Sequence, residues 1–188
     1  MPHNFLETTL GDTGLNVHRL GLSASYWPGK KTIYNAIDKG INYFFGYGFD
    51  NQMISVLRDV FKKERERYII ATGAYNLLVT HQNLRKTVEK RLRQLKTDYI
   101  DIFLFLGVTK PGHFPENLRE ELRELKKTGK VRYVLSNPHV HVCMTAPANI
   151  WQFEENIGEV RKGPLNEEEL SFVKEYGDLV RHTKKWFM

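Results

Sequence analysis

A single cysteine, Cys143, is present in this chain of 188 residues, so an intramolecular disulfide is excluded and a reducing compartment is expected. Long apolar runs are absent as well: no segment approaches the ~20 residues that cross a bilayer. The start, Met1-Pro2-His3-Asn4, lacks the charged and apolar regions of a secretory signal, and a cytoplasmic location is expected. No G-x-G-x-x-G follows a strand-like run, which removes the dinucleotide fingerprint of doubly wound folds. Internal repeats and low-complexity linkers are missing too, so residues 1–188 read as one domain.

What is present is a soluble globular balance, with 41% hydrophobic and 27% charged residues. The net charge of +6 could attract phosphate groups. The basic residues, however, are spread over several helical segments, and the most basic of these, Arg85 to Lys96, has no interleaved aromatics. Solvated helix faces explain the charge, and nucleic-acid binding is not expected.

Thr8-Thr9-Leu10 and Leu15 to Leu20 flank Gly11-Asp12-Thr13-Gly14, the pattern of a β-hairpin. Leu20-Gly21-Leu22-Ser23 then reads as a strand. Helix and strand alternate from there. Helices are expected at 31–39, stopped by Gly40, and at 52–63, 82–95 and 115–127, with strands at 42–45, 68–72 and 99–106. The strands are continuous apolar runs, as in parallel sheets buried on both faces. Four β–α units in succession imply a parallel α/β sheet.

After Gly129 the pattern breaks. Lys130 to Asn137 and His139 to Thr145 both read as strands, yet Pro138 alone separates them. A parallel crossover needs about a dozen residues. Either the two runs form an antiparallel hairpin, or one of them is not a strand. Along the second run His139, His141 and Cys143 share a face suited to zinc, but no fourth ligand is evident and the alternation equally turns Val140 and Val142 inward. Near the C-terminus, Asn166 followed by Glu169 marks a capped helix start.

Gly40-Ile41-Asn42-Tyr43-Phe44-Phe45 and Asp98-Tyr99-Ile100-Asp101-Ile102-Phe103-Leu104-Phe105-Leu106 resemble inner strands of the aldo-keto reductases, whose motifs usually read G-I-N-F-F-D and D-Y-I-D-L-Y-L-I-H. Leu10 to Val17 resembles that family's floor-closing hairpin, and Gly129 to Tyr133 its entry to the fifth strand. Residues from Val134 to Ala146 resemble the seam before its eighth strand, and 154–163 and 166–179 its closing helices. The resemblance implies an α/β fold: an incomplete (β/α)8 barrel with an N-terminal hairpin, lacking roughly the sixth and seventh β/α units. A full barrel takes about 250 residues.

The family reduces carbonyls with NADP(H), using a Tyr as acid, a Lys that lowers its pKa, an Asp that pairs with the Lys, and a His that orients the substrate. A phenol near pKa 10 needs such a cation to act at neutral pH. Carried over by position, Asp becomes Phe45, Lys becomes Gly73 and His becomes Leu106. The catalytic candidate that survives is Tyr47, in Tyr47-Gly48, although an ungapped comparison puts Asp50 there and the ring could equally be a loop-packing aromatic. Gly73 reads as a residue of unusual backbone angle at a strand end, and Asp50 and His81 as solvated loop groups. Ser136 and Asn137 match the pair that holds the nicotinamide.

The loop after a seventh strand, which would contact the cofactor's phosphates, is missing. What remains is Thr145 to Asn149 leading into a helix whose N-terminus could hold an anion. The resemblance therefore implies an NADP-dependent oxidoreductase scaffold with lost or very weak activity. The alternatives are an active NAD(P)H-dependent carbonyl reductase using Tyr47 on a small carbonyl substrate, and a non-catalytic binding or assembly module. Unpaired barrel edges would favour a homo-oligomer.

Overall fold

A computed structural model of the protein describes residues 5–77, 80–81, 83–106, 116–127, 131–133, 142–162, 166–168, 171, 175 and 178. It opens with the hairpin, β1 (Glu7–Thr9) running antiparallel to β2 (Asn16–His18), with Glu7 opposite His18 and Thr9 opposite Asn16. Gly14 turns the corner at φ +73°, a left-handed conformation that suits glycine. The run expected from Leu15 to Leu20 is interrupted at Arg19, after which β3 (Leu20–Ser23) enters the main sheet.

That sheet joins β3 to β4 (Tyr43–Phe45), β5 (Ile69–Leu77), β7 (Ile100–Leu106), β8 (Val131–Tyr133) and β9 (Cys143–Thr145) in the order β8-β7-β5-β4-β3-β9. Every neighbouring pair along this path is parallel. A short β6 (Thr80–His81) folds back antiparallel on the end of β5, an extension not foreseen from the sequence. The helices are α1 (Gly29–Asp38), α2 (Asn51–Glu64), α3 (Leu84–Leu95), α4 (Glu116–Lys127) and α5 (Ile150–Arg161). Gly40, at φ +93°, ends α1 as expected. Helix α5 begins at Ile150, four residues before the expected start at 154, where the Asn149 side chain caps it by accepting the Gln152 N–H at 3.0 Å. Farther on, residues 167, 168, 171, 175 and 178 are helical.

Both alternatives for the 130–145 region are overturned. β8 and β9 are both strands, but they lie at opposite edges of the sheet. β8 pairs parallel with β7, Ile100 opposite Val131; β9 pairs parallel with β3, Leu20 opposite Cys143. A strand late in the chain that returns beside the first barrel strand is what a barrel requires of its last strand. Strands at the fifth and eighth places of the barrel order are thus present, and no β/α unit lies between them among the described residues. Cys143 is exposed on β9, while His139 and His141 lie outside the described residues.

The apolar runs have partners on both sides. Leu22, Phe44, Ile70 and Phe103 pack outward against Ile33 of α1, Met53 and Leu57 of α2, and Leu84 and Val88 of α3. Tyr43, Ile69, Ala71 and Ile102 point inward, where Leu10 and Val17 of the hairpin meet them. The hairpin therefore fills one end of the sheet's concave face, and the other end, at the strand C-termini, is where a barrel carries its chemistry. Among the described residues no helix is long and apolar enough to cross a membrane.

His18 sits buried at this floor, with Nδ1 3.0 Å from Leu20 N and 3.1 Å from Leu20 O, and with Nε2 buried and lacking a partner. Burial, the largest influence, holds its pKa below the usual 6.5. Below pH 6.5 the unfolded chain takes up the proton first, so stability falls as pH drops through the window between 6.5 and the lower folded value. The urea midpoint is expected to fall across that window in the native chain. His18→Gln should flatten the slope; parallel profiles for the two proteins would rule the effect out.

Candidate active site

The parallel register lines up residues at the strand C-termini. Ser23 is opposite Phe45, Phe45 opposite Ala71, and Ala71 opposite Ile102. Two residues further along β5, Gly73 is opposite Leu104. Phe45 and Leu104 both pack on the interior cluster, so the mouth of the sheet is walled by apolar side chains. Leu106 closes β7, opposite Tyr75.

Gly73 is in the middle of β5 and not at its end. A Cβ there would sit 2.3 Å from the Leu104 carbonyl oxygen, so the β5–β7 approach permits no side chain. The expectation of an unusual backbone angle is corrected: close packing against a neighbouring backbone is the reason for glycine.

Tyr47 does reach the mouth. Its hydroxyl lies 3.1 Å from Ser25 Oγ, which lies 2.8 Å from Ser23 Oγ. Its half-buried ring meets Phe45 edge-on, with centroids 4.9 Å apart at 89°, and stacks on Phe49 at 5.5 Å and 19°. Phe49 continues to Trp27 at 5.9 Å, and both of these are more than half exposed. Tyr47 is therefore packed in an aromatic row and also joins its hydroxyl to Ser25, which in turn meets Ser23.

The loop that carries Tyr47 is gripped from α3. Arg91 donates to the Tyr47 and Gly48 carbonyls, and Gln94 Nε2 donates to Gly48 O at 2.9 Å. Gly48 has φ +83°, and a Cβ on it would fall 1.9 Å from Arg91 Cζ, so glycine is required twice over. The sequence reading missed Ser23, Ser25, Arg91 and Gln94. For Arg91 a signal existed: it stands three residues after Val88 and four before Leu95, on the apolar stripe of α3, and it is buried.

Asp50 is not a solvated loop group. It is 1% exposed and caps α2, its Oδ1 accepting the Met53 N–H at 2.8 Å. His81 lies in β6, across from Asn76. Ser136 and Asn137 lie outside the described residues. At the start of α5 the chain supplies its own partners: Asn149 takes the Gln152 N–H, and Gln152 Oε1 takes the Ala148 N–H at 2.8 Å. Both of these N–H groups are therefore engaged within the chain.

The sequence profile of the aldo/keto reductase family matches residues 31–150. This chain belongs to the aldo/keto reductase family. It is 28% identical over 157 residues to the aldo-keto reductase YhdN of Bacillus subtilis, covering 68% of this chain and 45% of YhdN. An aldo-keto reductase structure from Pseudomonas aeruginosa superposes with a TM-score of 0.57 at 25% identity, over 69% of this chain and 58% of that one. A Klebsiella pneumoniae aldo/keto reductase, solved with NADP and acetate, superposes with a TM-score of 0.52 at 20% identity, over 64% of this chain and 46% of that one. The chain thus spans about half the length of the relatives it matches. As an aldo/keto reductase it is a shortened one, with the barrel incomplete between β8 and β9.

Set against the chemistry of aldo/keto reductases, the described part of the site offers hydroxyls and apolar walls. Reduction of a carbonyl by hydride needs a proton donor made acidic by a nearby cation. Neither Phe45 nor Gly73 can carry charge, and with Leu104 O 2.3 Å from where a Cβ would stand, position 73 has no room for a side chain in this packing. At the start of α5 the Ala148 and Gln152 N–H groups are held by the chain's own side chains.

Proposed function

We propose that this aldo/keto reductase-family protein has lost carbonyl reductase activity or retains it only very weakly. The observation that carries the proposal is the close approach of Gly73 to Leu104 O, which excludes a side chain where the family resemblance puts the lysine. Phe45 and Leu106 stand where that resemblance puts the aspartate and the histidine. NADP(H) binding, which the Klebsiella relative's complex illustrates for that protein, is expected to be weak in this chain. A small carbonyl compound would be the substrate of any residual activity.

The test is a titration with NADPH to ~1 mM, the upper end of common KM values, monitored by Trp27 and Trp151 fluorescence and followed by turnover with simple aldehydes. Unchanged fluorescence and no turnover are the expected results. Saturable quenching with aldehyde-dependent NADPH oxidation would establish the alternative, an active NAD(P)H-dependent reductase using Tyr47, which the Ser25 contact favours.

A binding or assembly role is the second reading, and the open sheet favours it. β8 and β9 end the strand order, and neither has a second neighbour among the described residues. Exposed edges template pairing with another chain, so self-association is the proposed outcome. Sedimentation equilibrium should show dimers or larger species; a monomer at the highest soluble concentration would count against it.

A further inference from the structure

The loop between β4 and α2 is anchored at both ends by the elements it joins. Gly46 N–H donates to Ala71 O of β5 at 3.0 Å, and Asp50 caps α2. Its middle, which carries the Tyr47 and Phe49 rings, is bound from α3. Arg91 Nη2 donates to Tyr47 O at 2.5 Å, Arg91 Nη1 to Gly48 O at 3.4 Å, and Gln94 Nε2 to Gly48 O at 2.9 Å. Gln94 Oε1 in turn accepts Arg91 Nη1 at 3.0 Å, so guanidinium, amide and carbonyl close a ring of contacts. The Gln94 carbonyl also accepts from Arg58 Nε, which ties this ring to α2.

Arg91 is 7% exposed, and burying a guanidinium is costly unless its donors are matched. Here two loop carbonyls match the planar fork, which the single ammonium of a lysine could not do. The loop is shaped to the same contact: Gly48 stands at φ +83°, and a Cβ on it would lie 1.9 Å from Arg91 Cζ. What the clamp holds in place is the mouth itself. The Tyr47 hydroxyl lies 3.1 Å from Ser25 Oγ, and the Phe49 ring sits between those of Tyr47 and Trp27, at 5.5 and 5.9 Å.

We propose that Arg91 and Gln94 are positioning residues for Tyr47: by clamping the loop's carbonyls they set its hydroxyl against Ser25 and its aromatic neighbours against Trp27. They act through the backbone and leave the ring and hydroxyl free to meet a ligand. The inference rests on the reading that a ligand of this protein sits at the strand C-termini, and it adds the residues that preset that wall.

Fluorine-19 spectra of the full chain labelled with 5-fluorotryptophan test this. The chain has three tryptophans, and Phe substitution assigns the Trp27 and Trp151 signals. Trp27 reports on the loop through Phe49, while Trp151, 81% exposed on α5, is the internal control. Phe49→Leu, which removes the neighbouring ring, gives the reference displacement. Gln94→Ala removes one donor to Gly48 O and the acceptor for Arg91; Arg91→Lys keeps the charge and loses the fork. Both are expected to shift or broaden the Trp27 signal, as Phe49→Leu does, and to leave the Trp151 signal in place. A merely structural role would lower the urea midpoint and leave Trp27 at its native position, and that result in both variants would overturn the proposal. Should Arg91→Lys fail to fold, Gln94→Ala decides, being a change at a half-buried residue. The spectra need neither cofactor nor carbonyl compound, so their outcome is read separately from the activity test above.

Discussion

Arg65→Ala is expected to destabilise the fold by roughly 3–5 kcal/mol, because it strands a buried carboxylate. Arg65 Nη2 lies 2.7 Å from Asp101 Oδ2, and Asp101 is 2% exposed. The same carboxylate oxygen accepts the Ile70 N–H at 3.0 Å, so the pair sits across the β5–β7 junction. Arg65 also donates to Tyr68 O at 2.7 Å, Tyr99 O at 3.0 Å and Thr97 Oγ1 at 2.9 Å, and stacks on Tyr99 with Cζ 3.9 Å from the ring centre. No point charge reproduces that planar fork, so Arg65→Lys should recover only part of the loss. The exposed Lys62–Asp59 pair makes the contrast, and its removal should cost under ~1 kcal/mol. Urea unfolding of the three variants checks the ranking; an Arg65→Ala loss no larger than that of Lys62→Ala would refute the assignment.

The second large effect concerns any attempt to restore the family's lysine. Gly73→Lys is expected to cost about 2–4 kcal/mol of stability, in the range of overpacked cores, and to leave carbonyl reduction absent even alongside Phe45→Asp and Leu106→His. The obstacle is Leu104 O, 2.3 Å from where the new Cβ would stand, and a main-chain atom of a paired strand cannot rotate aside. Gly73→Ala isolates the steric part, since it adds the Cβ alone. If thermal unfolding shows Gly73→Ala within about 0.5 kcal/mol of the native chain, the close approach is not a barrier. Reductase activity in the triple variant exceeding that of the native chain would then show that side-chain identity, and not backbone packing, limits reduction at this mouth.

Much of the scaffold was legible because it rests on short-range patterns. Continuous runs such as Tyr68 to Ala71 anticipated parallel strands buried on both faces, and the inward Ile69 and Ala71 against the outward Ile70 bear that out. Gly40 marked a helix end, and its φ of +93° shows why. Spacing alone left the region from 130 to 145 open because strand pairing is non-local, whereas the family resemblance put a fifth strand at its start and an eighth at its end, as the pairings show. Neighbouring runs invite a hairpin, yet β8 pairs with β7, from which only α4 separates it, and β9 pairs with β3, the first strand of the main sheet. Asp50 was taken for a solvated group because nothing in its flanks, Phe49 and Asn51, announces that a helix cap will be covered by α3.

Residue types and their spacing settled the family scaffold, its hairpin floor, and the uncharged character of positions 45, 73 and 106, since those are properties of chain order and side-chain chemistry. Packing in three dimensions settled the rest: that Gly73 leaves no room beside Leu104 O, that Tyr47 meets Ser25, and that Arg91 holds the loop between them. Those are distances between residues more than twenty positions apart. Local propensity carries no information about them, because they exist only once the strands have found their register.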